Sequence, residues 1–170
     1  MDMLDIIDEN GAVIDTVPFA EAHKRQLLHR FVRVFVVNAQ GNYVLHKRDA
    51  SILDGGLLDT AGGHLDSGED FLDAAVREVA EEMGISISKD DLNYIGPISD
   101  RSRPEKENMV GELYRVQHNG PYKAEMGEVS SFVTVPESAL LTAGGLSSYG
   151  EVSLKLQTCI DAISDGGGFI

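Results

Sequence analysis

Glu78, Glu81 and Glu82 place three carboxylates within five residues. In a helix Glu78 and Glu82 are i, i+4 neighbours, and like charges at that spacing repel by about 0.2–0.5 kcal/mol. A divalent cation reverses the sign of that interaction. Oxygen ligands suit Mg2+ or Mn2+, and Mg2+ typically bridges carboxylates to the phosphates of a substrate. For a Glu-Glu pair alone, a solvated acidic face is the better reading, but the neighbouring residues shift the balance. Leu72, Val76, Val79 and Met83 form an apolar stripe that predicts a helix from about Glu69 to Met83. Ser67 is its expected N-cap and Gly84 its stop. On that wheel the glutamates lie on the side away from the core.

Gly63 is followed after five residues by Glu69, and after seven more by Arg77-Glu78-Val79-Ala80-Glu81-Glu82-Met83-Gly84-Ile85. This string resembles the Nudix box, Gly-x5-Glu-x7-Arg-Glu-U-x-Glu-Glu-x-Gly-U with U a bulky aliphatic residue, and every fixed position is present. The resemblance implies an α/β (α+β) fold of the Nudix type, an α/β/α sandwich around a mixed sheet. It implies that Glu78, Glu81 and Glu82 hold Mg2+ or Mn2+ and orient the attacking water. One of them, or a carboxylate elsewhere, would be the general base. Arg77 would pair with a box glutamate, Glu69. Gly63 and Gly84 would permit tight turns, with backbone near Gly63 open to metal or substrate. The implied chemistry is attack of water on a diphosphate linkage, in a nucleoside diphosphate derivative or another organic diphosphate.

The first 70 residues carry a narrower resemblance. Asp8-Glu9-Asn10-Gly11, Glu21-Ala22-His23, Leu27-Leu28-His29-Arg30, Phe35 and Gly63-His64 resemble the isopentenyl-diphosphate isomerase branch of the Nudix superfamily. That likeness implies His23, His29 and His64 as ligands of a transition metal, which imidazole suits. Taken singly, each histidine is more often structural. Two departures count against isomerisation. The isomerase's catalytic cysteine position is occupied by Gly62, and Cys159 lies far away near the C-terminus. The isomerase box is degenerate, whereas this one is complete. Glu112 matches a late isomerase glutamate, with Val110 where that residue's acidic partner would stand. The expectation is an intact hydrolase on an isomerase-like scaffold. An isomerase-like enzyme and a non-catalytic nucleotide-sensing module are the alternatives. Lys47 and Arg48, ending a strand, are the first candidates for substrate phosphates, Arg offering a planar fork. Arg101 and Arg103, in a polar loop, are the second pair. Glu128 and Glu112 are further candidates for base or metal ligand.

The elements that must position these residues read as one domain over residues 1–170. Leu4–Asp8 and Ala12–Thr16 are expected strands around an Asn10-Gly11 turn, followed by a helix over Phe19–Leu28. Residues 1–28 thus form an N-terminal hairpin and helix extension. Phe31–Val37 and Tyr43–Lys47 are strands, Gly55-Gly56 and Gly62-Gly63 bracket a short one, and 63–85 is the loop and helix of the box. Further strands are expected at Leu92–Ile95, Gly111–Gln117 and Ser130–Val135, and helices at Pro136–Leu141 and over about 150–164.

The chain has 170 residues and a formal net charge of -14, with 42% hydrophobic residues. That suits one ordinary globular core. The charge argues against binding to a nucleic-acid polymer or an anionic membrane, while a bound cation still admits an anionic small molecule. A single cysteine, no signal-like N-terminus and no apolar run of membrane-spanning length make the cytoplasm the expected compartment. A homodimer is a further expectation, because the N-terminal hairpin extends beyond the box-bearing core. Residues 63–85 alone hold seven acids and one base, so the negative charge is concentrated where the cation is expected.

Overall fold

A computed structural model of the chain describes residues 3–101, 108–123 and 127–165. Two hairpins of the same construction begin the sheet. β1 (Met3–Ile7) turns into β2 (Val13–Pro18), and β3 (His29–Val37) turns into β4 (Tyr43–Arg48). In the first turn Asp8 Oδ1 accepts the amides of Asn10 and Ala12, both at 2.9 Å. In the second, Asn38 Oδ1 accepts those of Gln40 and Asn42, both at 3.0 Å. The fourth residue of each turn is a glycine at positive φ, Gly11 at 82° and Gly41 at 79°. Short polar side chains that bond their own backbone, followed by a left-handed glycine, reverse the chain without tertiary help.

Between the hairpins, α1 (Phe19–Lys24) is a short helix. It stops well before the expected Leu28. Gln26 adopts φ +56°, and the Leu27 amide turns back to the Ala22 carbonyl, which breaks the helical ladder. β5 (Leu58–Asp59) pairs with the end of β4. Beyond α2 (Phe71–Met83) come β6 (Asn93–Asp100), β7 (Met109–Gln117), β8 (Val129–Val135), α3 (Glu137–Leu141) and α4 (Leu154–Asp165). β7 runs parallel to β3 over all nine residues of each, and the other strand pairs are antiparallel, so the sheet is mixed. β6 continues through Pro97, where the sequence led us to end it at Ile95. Among the described residues it pairs only with β7, and an edge strand tolerates a residue without an amide hydrogen.

Two apolar layers cover the sheet. On one face Val32, Val34, Val36, Val44 and Tyr114 pack with Ala74, Ala75, Val79 and Met83 of α2. On the other, Phe31, Phe35, Tyr43, Leu45 and Leu113 pack with Leu156, Cys159, Ile160 and Ile163 of α4. This is an α/β/α sandwich. Burying a side chain the size of Val79 or Met83 contributes about 1.5–3 kcal/mol. α4 begins at Leu154, four residues later than expected. Glu151–Ser153 first lies against β5, with the Leu58 amide on Glu151 O at 2.7 Å and the Ser153 amide on Leu58 O at 2.9 Å. Ser153 Oγ then accepts the Leu156 amide and caps the helix. No helix among the described residues is long and apolar enough to cross a membrane.

Candidate metal and active site

The site is built where the chain from Ala61 to His64 runs antiparallel along β3. The Val34 amide donates to Ala61 O and the Val32 amide to Gly63 O, at 2.8 and 2.9 Å. The loop after His64 is closed by Glu69, whose Oε2 accepts the Asp66 amide at 3.0 Å. α2 then starts at Phe71 with Asp70 as N-cap, its carboxylate accepting the Asp73 amide at 2.8 Å. The expected cap, Ser67, instead donates its hydroxyl to Asp5 of β1 at 2.7 Å. Gly84 ends the helix in the left-handed region at φ +64°.

Glu78 and Glu82 do not face away from the core. They are only 8% and 6% exposed. The inner face of α2 runs through Ala74, Ala75, Glu78, Val79, Glu82 and Met83, while Leu72 and Val76 are only half-buried. Two alanines bring the helix close to the sheet and carry the glutamates in with them. A wheel weighted by bulky aliphatics misses that rotation. Glu81 stays exposed.

Burial pushes the Glu82 carboxyl up to about 8, helped by the charge of Glu78 and opposed by Arg33. Burial likewise pushes Glu78 up to about 7, against the pull of Arg77. Glu82 Oε2 accepts the Gly62 amide at 2.8 Å. Gly63 has no room for a side chain, since a Cβ there would sit 2.4 Å from Glu78 Oε1. Two buried carboxylates against a bare backbone loop form a cradle suited to a hard divalent cation.

Arg77 organises the outer rim. Its Nε and Nη2 grip Glu69 at 3.0 and 2.9 Å, a two-point pairing. Its Nη1 donates to Glu78 Oε1 at 2.8 Å and Glu81 Oε2 at 3.1 Å, and Nη2 also reaches His64 O at 2.9 Å. The hydrogen bond to Glu69 leads the factors that raise the Arg77 pKa further.

Beneath the cradle lies a charged network that sequence reasoning missed. Arg33 is buried, with Nη1 donating to Gly62 O at 2.9 Å and to Thr60 O at 3.3 Å. Asp59 is fully buried, 3.9 Å from Arg33 and 3.4 Å from Arg48. His46 Nδ1 is 4.0 Å from Glu82 Oε2, and burial lowers its pKa to about 4, so it is neutral. The signal was present: Arg33 is a lone charge inside the apolar run Phe31–Val37.

A second cluster lies on the other side of the loop. His23 of α1, His29 at the start of β3 and His64 have ring centroids 5.0–5.1 Å apart. One nitrogen of each lies within 4.8 Å of the others. His29 Nδ1 is 2.7 Å from Leu27 O, which orients the ring. Buried Nε2 atoms of His23 and His64 have no hydrogen-bond partner among the described residues. Burial, then the neighbouring His29, pulls the His64 pKa well below its usual value. Three imidazoles converging within one ligand-to-ligand distance form a donor set suited to a transition metal.

Glu112 is not part of this cluster among the described residues. It pairs in register with Val32, on the α2 face of the sheet, and its carboxylate accepts the Tyr114 hydroxyl. The side chain of Arg48 is tied inward, with Nε on Leu53 O at 2.9 Å and Nη1 toward Asp59. Lys47 and Glu128 are exposed, and Glu128 O accepts the Asp49 amide. Arg101 is exposed and pairs with Glu9 at 3.1 Å. Arg103 lies outside the described residues.

Fold and site together define a Nudix-type sandwich with a complete carboxylate helix. The family model of the NUDIX domain matches residues 27–153, and the chain belongs to that family. It is 36% identical over 87 residues to an uncharacterized Nudix hydrolase of Streptomyces coelicolor, covering 50% of this chain and 48% of that protein. It is also 31% identical over 146 residues to an isopentenyl-diphosphate delta-isomerase of Streptomyces avermitilis, covering 81% and 73%. The chain spans about half the length of the first three curated relatives it matches. A crystal structure of a Deinococcus radiodurans protein shares the fold with a TM-score of 0.73 at 22% identity, covering 94% of this chain and 98% of that one.

Proposed function

We propose that this Nudix-family protein is a divalent-metal-dependent hydrolase of the diphosphate linkage in a nucleoside diphosphate derivative or another organic diphosphate. The observation that carries this reading is the buried Glu78–Glu82 pair set against the side-chain-free Gly62–Gly63 backbone. Glu78, Glu81 and Glu82, with backbone near Gly63, would hold Mg2+ or Mn2+. When bound, the cation supplies charge neutralisation on the phosphate oxygens and a lowered pKa for bound water. The chain's own part is orientation. Arg77 fixes Glu69, Glu78 and Glu81 relative to one another, and the Gly62 amide fixes one oxygen of Glu82. Lys47, exposed at the end of β4, is the nearer of the two expected basic residues to solution for a phosphate, because Arg48 is held by Asp59. The single cysteine, Cys159, is buried and free, in keeping with a reducing cytoplasm.

The test is a screen of organic diphosphates with Mg2+ or Mn2+, following release of the two phosphate-bearing products. Turnover of at least one diphosphate is expected. No hydrolysis, with binding of a nucleotide only, would move the assignment to a sensor module.

An isomerase reading draws on the Streptomyces avermitilis relative and on the histidine cluster. The backbone at residue 62 opposes it. Gly62 has φ +142°, and a Cβ there would lie 2.1 Å from Val32 O and 2.9 Å from Arg33 Cα. A cysteine cannot occupy that position without moving β3. Gly62→Cys is therefore expected to lower stability and confer no isomerisation of isopentenyl diphosphate. Isomerase activity in the wild type would overturn the hydrolase reading outright.

A further inference from the structure

We propose that Arg33 is a positioning residue for the cation site, acting through the backbone of Gly62 rather than by touching metal or substrate. This rests on the hydrolase reading above. Both backbone polar groups of Gly62 are held, the carbonyl in its peptide with Gly63 and the amide in its peptide with Ala61. The carbonyl accepts Arg33 Nη1 at 2.9 Å, and the amide donates to Glu82 Oε2 at 2.8 Å. The same Nη1 reaches Thr60 O at 3.3 Å, so one guanidinium nitrogen ties together the carbonyls two residues apart that lead into the loop. Gly63 continues the braced backbone, with its carbonyl on the Val32 amide and its Cα against Glu78.

The β3 amides hold the carbonyls of Ala61 and Gly63 on either side, and among the bonds described the Gly62 carbonyl between them is held by Arg33. A glycine at φ +142° has no side chain to restrain it, and the conformation is one that glycine adopts among several. Arg33 is itself fixed, only 2% exposed, by Asp59 at 3.9 Å, with Arg48 sharing that carboxylate. The order of action is therefore Asp59, Arg33, the Gly62 backbone and Glu82. Outer groups of this kind orient metal ligands, and their loss typically costs about 10–100-fold in metal affinity.

Two effects of removing Arg33 have opposite signs, which makes the proposal testable. As a mere buried cation near Glu78 and Glu82, Arg33 repels a divalent ion, so its removal would tighten binding. As a brace, its removal loosens binding. The probe is Mn2+, with affinity read by electron paramagnetic resonance on the whole chain. Arg33→Met is expected to weaken Mn2+ binding by about tenfold or more. Because that variant leaves Asp59 short of a partner, Arg33→Met/Asp59→Asn is measured beside it and is expected to fold and bind equally weakly. Arg33→Lys keeps an ammonium for the same carbonyls and is expected to restore binding to within about threefold of wild type. Equal or tighter Mn2+ binding in a folded Met variant overturns the proposal and leaves the hydrolase reading standing. A wild type that binds no Mn2+ overturns both.

Discussion

Two clusters flank one short loop, and burial treats them in opposite ways. On one side Glu78 and Glu82 are anions forced inward, and burial drives both toward protonation at about 7 and about 8. On the other, His23, His29 and His64 meet ring to ring, and burial holds His64 neutral. The first cluster carries a charge problem that a hard dication relieves. The second brings three imidazoles together, a set that a borderline metal would suit. Imidazoles can stay without a metal at modest cost, whereas a buried pair of carboxylates must bind a cation or a proton. Under the proposed hydrolase reading, the reaction would fall to the glutamates and the histidines would form a second site.

Removing a glutamate should therefore hurt most. Glu82→Gln keeps the shape and the Gly62 hydrogen bond but removes the charge. Diphosphate hydrolysis is expected to fall by roughly two orders of magnitude or more, since changes outside the ligand set alone cost about 10–100-fold. Steady-state kinetics with Mg2+ checks this, and activity within a factor of a few would dissolve the distinction between the clusters. Next in size is His64→Ala. Transition metal carried through purification should drop, as metal analysis would show, while Mg2+-supported hydrolysis stays within about tenfold of wild type. A collapse of both would make the two clusters one site.

The same contrast governs what could be read from the sequence. The box lies within 23 residues and its spacing is dictated by one helix and its entry loop, so Gly63, Glu69, Arg77, Glu78, Glu81, Glu82 and Gly84 could be picked out together. The direction in which the glutamates point could not, because Ala74 and Ala75 set the depth of the helix and small residues weigh little in an apolar pattern. His23, His29 and His64 come from α1, β3 and the loop, and only the family likeness suggested they meet. Arg33, His46 and Asp59 went unread. Each lies in an apolar or short strand, and pairing across β3, β4 and β5 is needed to bring them together. Strands are legible where they alternate or branch at Cβ, while Pro97 hides the length of β6 and Glu151–Ser153 has a helix-like pattern although it lies against β5.

A pH titration of the metal-free protein separates the clusters by sign. Glu78 and Glu82 have folded values above the ordinary 4.5, so the native state binds the extra protons. Their contribution to stability is complete below about pH 4.5 and is lost as pH rises through about 7 and 8. His46, lowered to about 4, and His64 act oppositely, withdrawing stability as pH falls below about 6.5. Above pH 7 most of the histidine effect is over, and of these four groups the glutamates dominate the remaining change. The Tm of the metal-free protein should fall by several degrees between pH 6.5 and 8, at about 1.4 kcal/mol per pH unit for a single group. Mn2+ or Glu82→Gln should flatten the slope. A Tm that rises over this interval would show that the glutamates are not the strained pair.

The smallest expected effect concerns the attachment of the histidine side. Asp5 of β1 is the latch between the N-terminal hairpin and the box loop. Its Oδ2 accepts the Gly68 amide at 2.9 Å and Arg30 at 3.3 Å, and its Oδ1 accepts the hydroxyls of Ser67 at 2.7 Å and Thr16 at 2.9 Å. Burial pushes the Asp5 pKa up, but these bonds outweigh it and hold it below the usual value. Asp5→Asn replaces one acceptor with a donor that faces Arg30 or a hydroxyl, a loss of about 1–2 kcal/mol. The hairpin and α1 bring His23 to the cluster, whereas Glu78 and Glu82 are carried by α2 and braced by Gly62, with no contact to Asp5 in the bonds above. Loosening the latch should thus weaken transition-metal retention a few-fold and leave the Mg2+ dependence of hydrolysis unchanged. Equal loss at both would mean that the hairpin supports the glutamate cradle as well, and the two regions would have to be treated as one mechanical unit.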